Sequence, residues 1–136
     1  MWSAGWDGET EYLLVRVGNN GIDGAPFTYT LYSRPMIESS TTDYNGSWTT
    51  TNITFPVPSG FTGQPVMVHS FTAGHDGSIV VGASYGEGAA VMRSIDGGIN
   101  WESHVIATGA QYEEPSVKYD ADSGLYVGFM LSLIHI

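Results

Sequence analysis

The chain has 136 residues, 42% of them apolar and 12% aromatic, enough to build the core of one modest domain. It carries 14 acidic side chains against 4 full cations, a net charge of −10, which repels nucleic acid and anionic membranes, so neither is an expected partner. It has no cysteine, which excludes disulfides and thiolate metal sites, and no bilayer-length apolar run or signal-like segment after Met1, so it is expected to be soluble.

Eighteen glycines, eight tyrosines and four tryptophans, distributed through short alternating segments, point to an all-β chain rich in tight turns. Strand signals run in a regular order. Glu11 to Val17, Phe27 to Met36 and Ser47 to Phe55 form a first group. Pro65 to Thr72, Ser78 to Ser84, Ala89 to Ser94 and Asn100 to Ala107 form a second, and Pro115 to Tyr119 and Leu125 to Met130 open a third. Turn chemistry fills the gaps at Asn19-Asn20-Gly21, Asp76-Gly77, Asp96-Gly97-Gly98 and Ser123-Gly124. No stretch has helical periodicity with caps at both ends.

The groups resemble one another. Ala4-Gly5-Trp6-Asp7-Gly8 returns as Ala73-Gly74-His75-Asp76-Gly77, and Gln64-Pro65-Val66 returns as Glu114-Pro115-Ser116. Thr41-x-Asp43-x-Asn45-x-x-Trp48 returns as Ser94-x-Asp96-x-Gly98-x-x-Trp101. A self-similar unit of roughly 50 residues holding four strands is the signature of a propeller blade. The expected fold is a partial β-propeller of four-stranded antiparallel blades, about two and a half of them, where closed propellers have about four to eight. The first group is expected to lack the opening strand of its blade. Residues 1–130 read as the propeller portion, and 131–136 (Leu131 to Ile136) match the translation of a common sequencing adaptor and are set apart as a tail. The isolated chain is expected to be inactive and to expose unpaired blade edges.

Ser94-Ile95-Asp96-Gly97-Gly98-Ile99-Asn100-Trp101 matches Ser-x-Asp-x-Gly-x-x-Trp, and on these residues the chain resembles the Asp-box (BNR-repeat) propellers of the sialidase kind. The physical roles are structural. Asp96 accepts turn N–H groups, Gly98 permits positive φ, and Trp101 buries a ring that locks the turn. Blade strands run up and down, so this turn lies opposite the turns joining strands two to three and one blade to the next. Asp96 is therefore a fold marker and not a catalyst. Asp120-x-Asp122-x-Gly124 begins like a calcium loop but lacks its closing glutamate, so a hairpin turn is expected there and no metal site.

The opposite face collects Glu113, Glu114, Gln64 and the Tyr85-Gly86-Glu87-Gly88 turn. The run Tyr112-Glu113-Glu114-Pro115-Ser116-Val117-Lys118-Tyr119, followed by Gly124-Leu125-Tyr126, resembles the Glu-Pro segment of bacteriophage endosialidase-type tailspikes, trimeric enzymes that cleave polysialic acid capsules. The resemblance implies that Glu114 matches the catalytic glutamate, and that an arginine for the sialyl carboxylate falls at about Met130 or just beyond. It implies a glycan-cleaving parent, a homotrimer in a virion tail or outside the cell, with a sialylated or other capsular polysaccharide as partner and no cofactor. Without that likeness, a glutamate before proline reads as a solvated or turn-capping carboxylate. His69, on an inner strand, reads as a proton shuttle or sugar donor, or as a packed strand histidine. Arg93 reads as a partner for a substrate carboxylate, or as a structural partner of a neighbouring blade. Tyr85 and Tyr112 read as sugar-stacking rings, or as core cover. The rival to an enzyme is a non-catalytic carbohydrate- or receptor-binding propeller of a tail fibre.

Overall fold

A computed structural model describes residues 2–17, 28–36, 47–109 and 112–132. Among the described residues the regular structure is all β-strand, in two four-stranded antiparallel sheets and a two-stranded hairpin. The first sheet is β1 (Trp2–Trp6), β2 (Thr10–Val17), β3 (Thr28–Pro35) and β4 (Thr49–Ile53). The second is β5 (Met67–Ala73), β6 (Ile79–Tyr85), β7 (Gly88–Ser94) and β8 (Glu102–Thr108), and β9 (Tyr112–Asp120) pairs with β10 (Leu125–Ser132). Each sheet is ordered as its strands occur in the chain, so consecutive strands are antiparallel neighbours. This is a partial β-propeller: two blades and the inner half of a third.

One expectation is corrected. The first blade has its opening strand, because Trp2 to Trp6 pairs in continuous register with Val15 to Glu11. The segment is short and interrupted by Gly5, which weakens the strand signal. That glycine is required by packing: a Cβ there would stand 2.6 Å from Cε1 of Phe71 on the second blade.

The core lies between the blades. Tyr12, Leu14, Tyr29, Leu31 and Ile53 present one face of the first sheet. They meet Ile79, Val81, Ala83, Ala90 and Met92 of the second. Alternation puts those side chains on one face of each strand, which is how a pleated sheet covers another. β6 is buried along its whole length because it has a neighbouring sheet on both faces. Its run Ile-Val-Val-Gly-Ala-Ser-Tyr accordingly does not alternate with charged residues. Phe55 bridges the blades, edge-on to Tyr29 at 5.5 Å and to Trp101 at 5.1 Å. Tyr29 also accepts the Val68 amide at 3.0 Å, so burial of its hydroxyl is compensated; that burial raises its pKa.

The third unit is less enclosed. Leu125, Val127 and Phe129 alternate along one face of β10 and are 57–71% exposed. The other face, with Tyr126, Gly128 and Met130, lines a groove of about 480 Å³ against Val91, His104 and Ile106 of the second blade. β10 runs past position 130 to Ser132, and residues 133–136 lie outside the described part.

Leu31 is 1% exposed, at the centre of the inter-blade contact. Leu31→Ala should lower unfolding free energy by about 2–5 kcal/mol, read as a shift in the urea midpoint. A loss below about 0.5 kcal/mol, the range of surface substitutions, would place the core elsewhere.

Candidate functional site

The two ends of the blades differ in character. One end carries the first hairpin of each blade and the turn between strands three and four. The other carries the turn between strands two and three and the entry to the next blade.

At the first end the chain holds itself. Asp7 Oδ1 accepts the Glu9 and Thr10 amides at 2.9 and 2.7 Å, and Asp76 Oδ1 accepts the Ser78 amide at 3.0 Å. Asp120 Oδ1 accepts the Asp122 amide at 3.3 Å and Oδ2 the Ser123 hydroxyl at 2.5 Å. All three are turns tied by a short carboxylate, one per blade. Trp6, His75, Tyr119 and Tyr126 make a chain of ring contacts across them, with centroids 5.2–6.0 Å apart. Among the described residues no group of three or more His, Asp or Glu side chains is placed to hold a metal ion.

The Ser94–Trp101 turn occupies the same end. Asp96 Oδ1 accepts the Ser94 hydroxyl at 2.9 Å and the Ile99 and Asn100 amides at 3.2 and 2.9 Å. Its Oδ2 accepts the Asn100 side-chain amide at 2.7 Å. Ser94 Oγ accepts the Gly98 amide at 2.9 Å, and the indole N–H of Trp101 donates to the Gly98 carbonyl at 2.9 Å. Gly98 has φ +90°, and a Cβ there would stand 2.7 Å from Leu31 Cδ2. The turn thus seals the seam with the first blade, and Asp96 does structural work. In the degenerate copy, positions 41–46 lie outside the described residues. Its Trp48 packs under Arg34, whose guanidinium sits 4.3 Å from the ring centroid and pairs with Glu11 at 2.8 Å.

Arg93 also lies at this end. Its guanidinium reaches Asp76 Oδ2 at 3.4 Å, with both side chains nearly half exposed. The structure therefore does not bring Arg93 to the end of the blades where Glu114 sits; it is an ion-pair partner of the first hairpin of its own blade. Tyr85 is another departure from the sequence expectation. It is 4% exposed, tilts against Phe61 at 5.0 Å, and donates to the Pro56 carbonyl and Met92 sulfur, both at 3.2 Å. Burial drives its pKa up. With its ring enclosed and its hydroxyl committed, Tyr85 is core and offers no face to a sugar.

Glu114 and His69 are differently placed. In the third unit Ser116 pairs with Phe129 and Glu113 with Leu131, so Glu114 and Pro115 together face the single residue Met130. That is a β-bulge. Proline explains the break, because it has no N–H to give the ladder. Glu114 adopts φ +54°, and among the described residues it is the only non-glycine residue with positive φ. Such a conformation costs about 1–3 kcal/mol outside glycine and clusters at functional sites. The carboxylate side chain is exposed.

His69 sits at a second bulge. Val68 pairs with Ala83 and Ser70 with Gly82, which leaves His69 as the extra residue of β5. Its Nε2 lies 2.8 Å from Ser84 Oγ on β6. The two bulges are neighbours across the blade boundary: Ser70 Oγ donates to the Pro115 carbonyl at 2.9 Å and accepts the Val117 amide at 3.1 Å. His69 and Glu114 are each one residue from that contact, at the same height on adjacent inner strands. On the same end, Glu87 accepts the Thr62 amide at 3.0 Å and the Thr62 hydroxyl, which lowers its pKa. The side chain of Tyr112 lies outside the described residues.

The chain matches no family model, no curated protein and no solved structure. The site therefore rests on its own geometry: two bulged inner strands, one strained glutamate and one tethered histidine. Sequence reasoning singled out both residues but not the bulges. The missed participants are Ser70, Ser84 and Gly82, whose sequence signal is small size along largely apolar strands.

The Asp96 carboxyl is held at about 2 against an ordinary 3.8, chiefly by the Asn100 backbone and side-chain hydrogen bonds and the Ser94 hydroxyl. A folded-state pKa below the unfolded value stabilises the fold above about pH 4 and loses that contribution as pH falls from about 4 toward 2. Urea midpoints measured from pH 5 to 2 should fall more steeply for the native chain than for Asp96→Asn. Parallel profiles would mean that Asp96 is not tied in solution as it is here.

Proposed function

We propose that the chain belongs to a glycan-cleaving, sialidase-like propeller, a phage tail protein acting on a sialylated capsular polysaccharide, with Glu114 as its acid–base or charge-stabilising carboxylate. The observation that carries this reading is the backbone of Glu114. A carboxylate in a strained conformation, on a proline-induced bulge at the entry of an inner strand, is presented outward at a conformational cost. Cleavage of a glycosidic bond through an oxocarbenium-like transition state uses a carboxylate presented in that way. His69, tethered to Ser84 on the adjacent strand, supplies a second titratable group at the same height. In this reading the parent is a homotrimer of the virion tail, and the blade ends near Asp96 and Arg93 take no part in chemistry.

A specific observation favours a second reading, a non-catalytic glycan binder of a tail fibre. The position facing the Glu114–Pro115 bulge is Met130, and no arginine stands there to meet a sialyl carboxylate. The net charge of −10 also slows encounter with a polyanion, unless further blades carry compensating arginines.

The test joins the two. The chain, and any longer product of its gene, is incubated with polysialic acid and a panel of capsular polysaccharides. Release of new reducing ends, with a fall of about 10²–10⁴-fold in Glu114→Gln, supports the enzyme. Binding without cleavage, unchanged in Glu114→Gln, supports the binder and removes Glu114 from chemistry.

A further inference from the structure

We infer that Ser70 is a positioning residue: its hydroxyl, reaching across the blade boundary, fixes the bulge that presents Glu114. The inference deepens the glycan-cleaving reading and takes Glu114's role from it, but its geometry stands independently.

Three observations converge on it. First, the Ser70 hydroxyl does what a missing strand would do. It donates to the Pro115 carbonyl and accepts the Val117 amide, gripping the strand where it leaves the bulge, from the side facing the second blade. Second, the approach is sterically enforced. Gly82 lies beneath the same carbonyl, and a Cβ there would stand 2.5 Å from Pro115 O and 2.7 Å from Ser70 Oγ. Only a glycine on β6 allows the third unit to come close enough for Ser70 to reach it. Third, Glu114 precedes a proline, a position whose preference is extended, at φ about −120°. Its φ of +54° is therefore imposed from outside the residue. Among the described residues, the hydrogen bonds that reach the Pro115 carbonyl and the Val117 amide from a neighbouring blade are those with Ser70.

A neighbouring contact supplies the control. Thr72 Oγ1, two residues further along β5, accepts the Tyr119 amide at 3.1 Å. It is the same kind of cross-blade bond, but it lies on the far side of Val117 from the bulge. Loss of Thr72 loosens the blade boundary without touching the strand entry. Loss of Ser70 releases the strand entry itself. Relaxation of Glu114 toward the extended conformation that proline favours moves its carboxylate with the backbone. Blade packing and the orientation of Glu114 are then one device, and the third unit presents its glutamate only while docked on the second.

The experiment is NMR of the full chain, reading the strong intraresidue amide-to-Hα cross-peak that a positive φ gives Glu114. The native chain and Ser70→Thr, which keeps the hydroxyl, should show it. Ser70→Ala should lose it, and Gly82→Ala should lose it by pushing the carbonyl away. Thr72→Val should keep it. Persistence of the cross-peak in a folded Ser70→Ala, or its loss in Thr72→Val as in Ser70→Ala, overturns the inference. Should Ser70→Ala fail to fold, retention in Gly82→Ala overturns it instead. In the glycan assay, Ser70→Ala should lower kcat about tenfold with KM little changed, and Ser70→Thr should restore it. If the cross-peaks behave as stated while no variant cleaves any glycan, the positioning stands and the enzymatic reading falls.

Discussion

The contact on which the rest depends is the packing of the first sheet's apolar face onto β6 and β7. It is a sheet-on-sheet interface in which Leu31, Tyr29 and Phe55 fill the space over Ile79, Val81 and Met92. A single four-stranded sheet with one apolar face cannot leave that face in water, so a blade is stable only beside another. Every other feature is arranged around that need. The Ser94–Trp101 turn seals one end of the seam, with Gly98 against Leu31 and Trp101 against Phe55. Tyr29 closes the inner side through the Val68 amide. The second boundary repeats the logic with smaller groups: Gly82 and Ser70 let β9 approach so closely that a hydroxyl replaces part of a ladder.

Much of the fold was legible because the signals were local. Nine strands fall within a few residues of where alternation and turn residues put them. Asp76-Gly77 and Ser123-Gly124 mark hairpins because a short carboxylate and a left-handed glycine make those turns cheap. β1 was missed because five residues interrupted by Gly5 give no period. The repeat contained the clue, since Ala4 to Gly8 matches Ala73 to Gly77, and the latter closes a strand. β10's run to Ser132 was not expected, because residues 131–136 were set apart for their match to an adaptor translation.

The candidate site was legible in residue type and not in geometry. Glu114 stood out by its place before Pro115, and His69 by its place in an apolar strand. That both sit on bulges follows from register, which depends on the partner strand and cannot be read from one segment. Tyr85 misleads from sequence because a tyrosine closing a strand before a glycine turn looks exposed. Its burial comes from Phe61 and Pro56, in a connection with no periodic pattern. Arg93 misleads for a different reason: strand direction decides which end of a blade a side chain serves, and the end of β7 faces the first hairpin of its own blade.

Amide hydrogen exchange across the whole chain tests the blade-stacking account most directly, because protection reports which strands open only with global unfolding. The account predicts the slowest exchange in β6 and β7, intermediate protection in β2, β3 and β5, and fast exchange in β8 and along the free edge of β10. Equal protection in β10 and β6, or uniformly fast exchange throughout, would contradict the claim that the second blade, covered on both sides, holds this structure together.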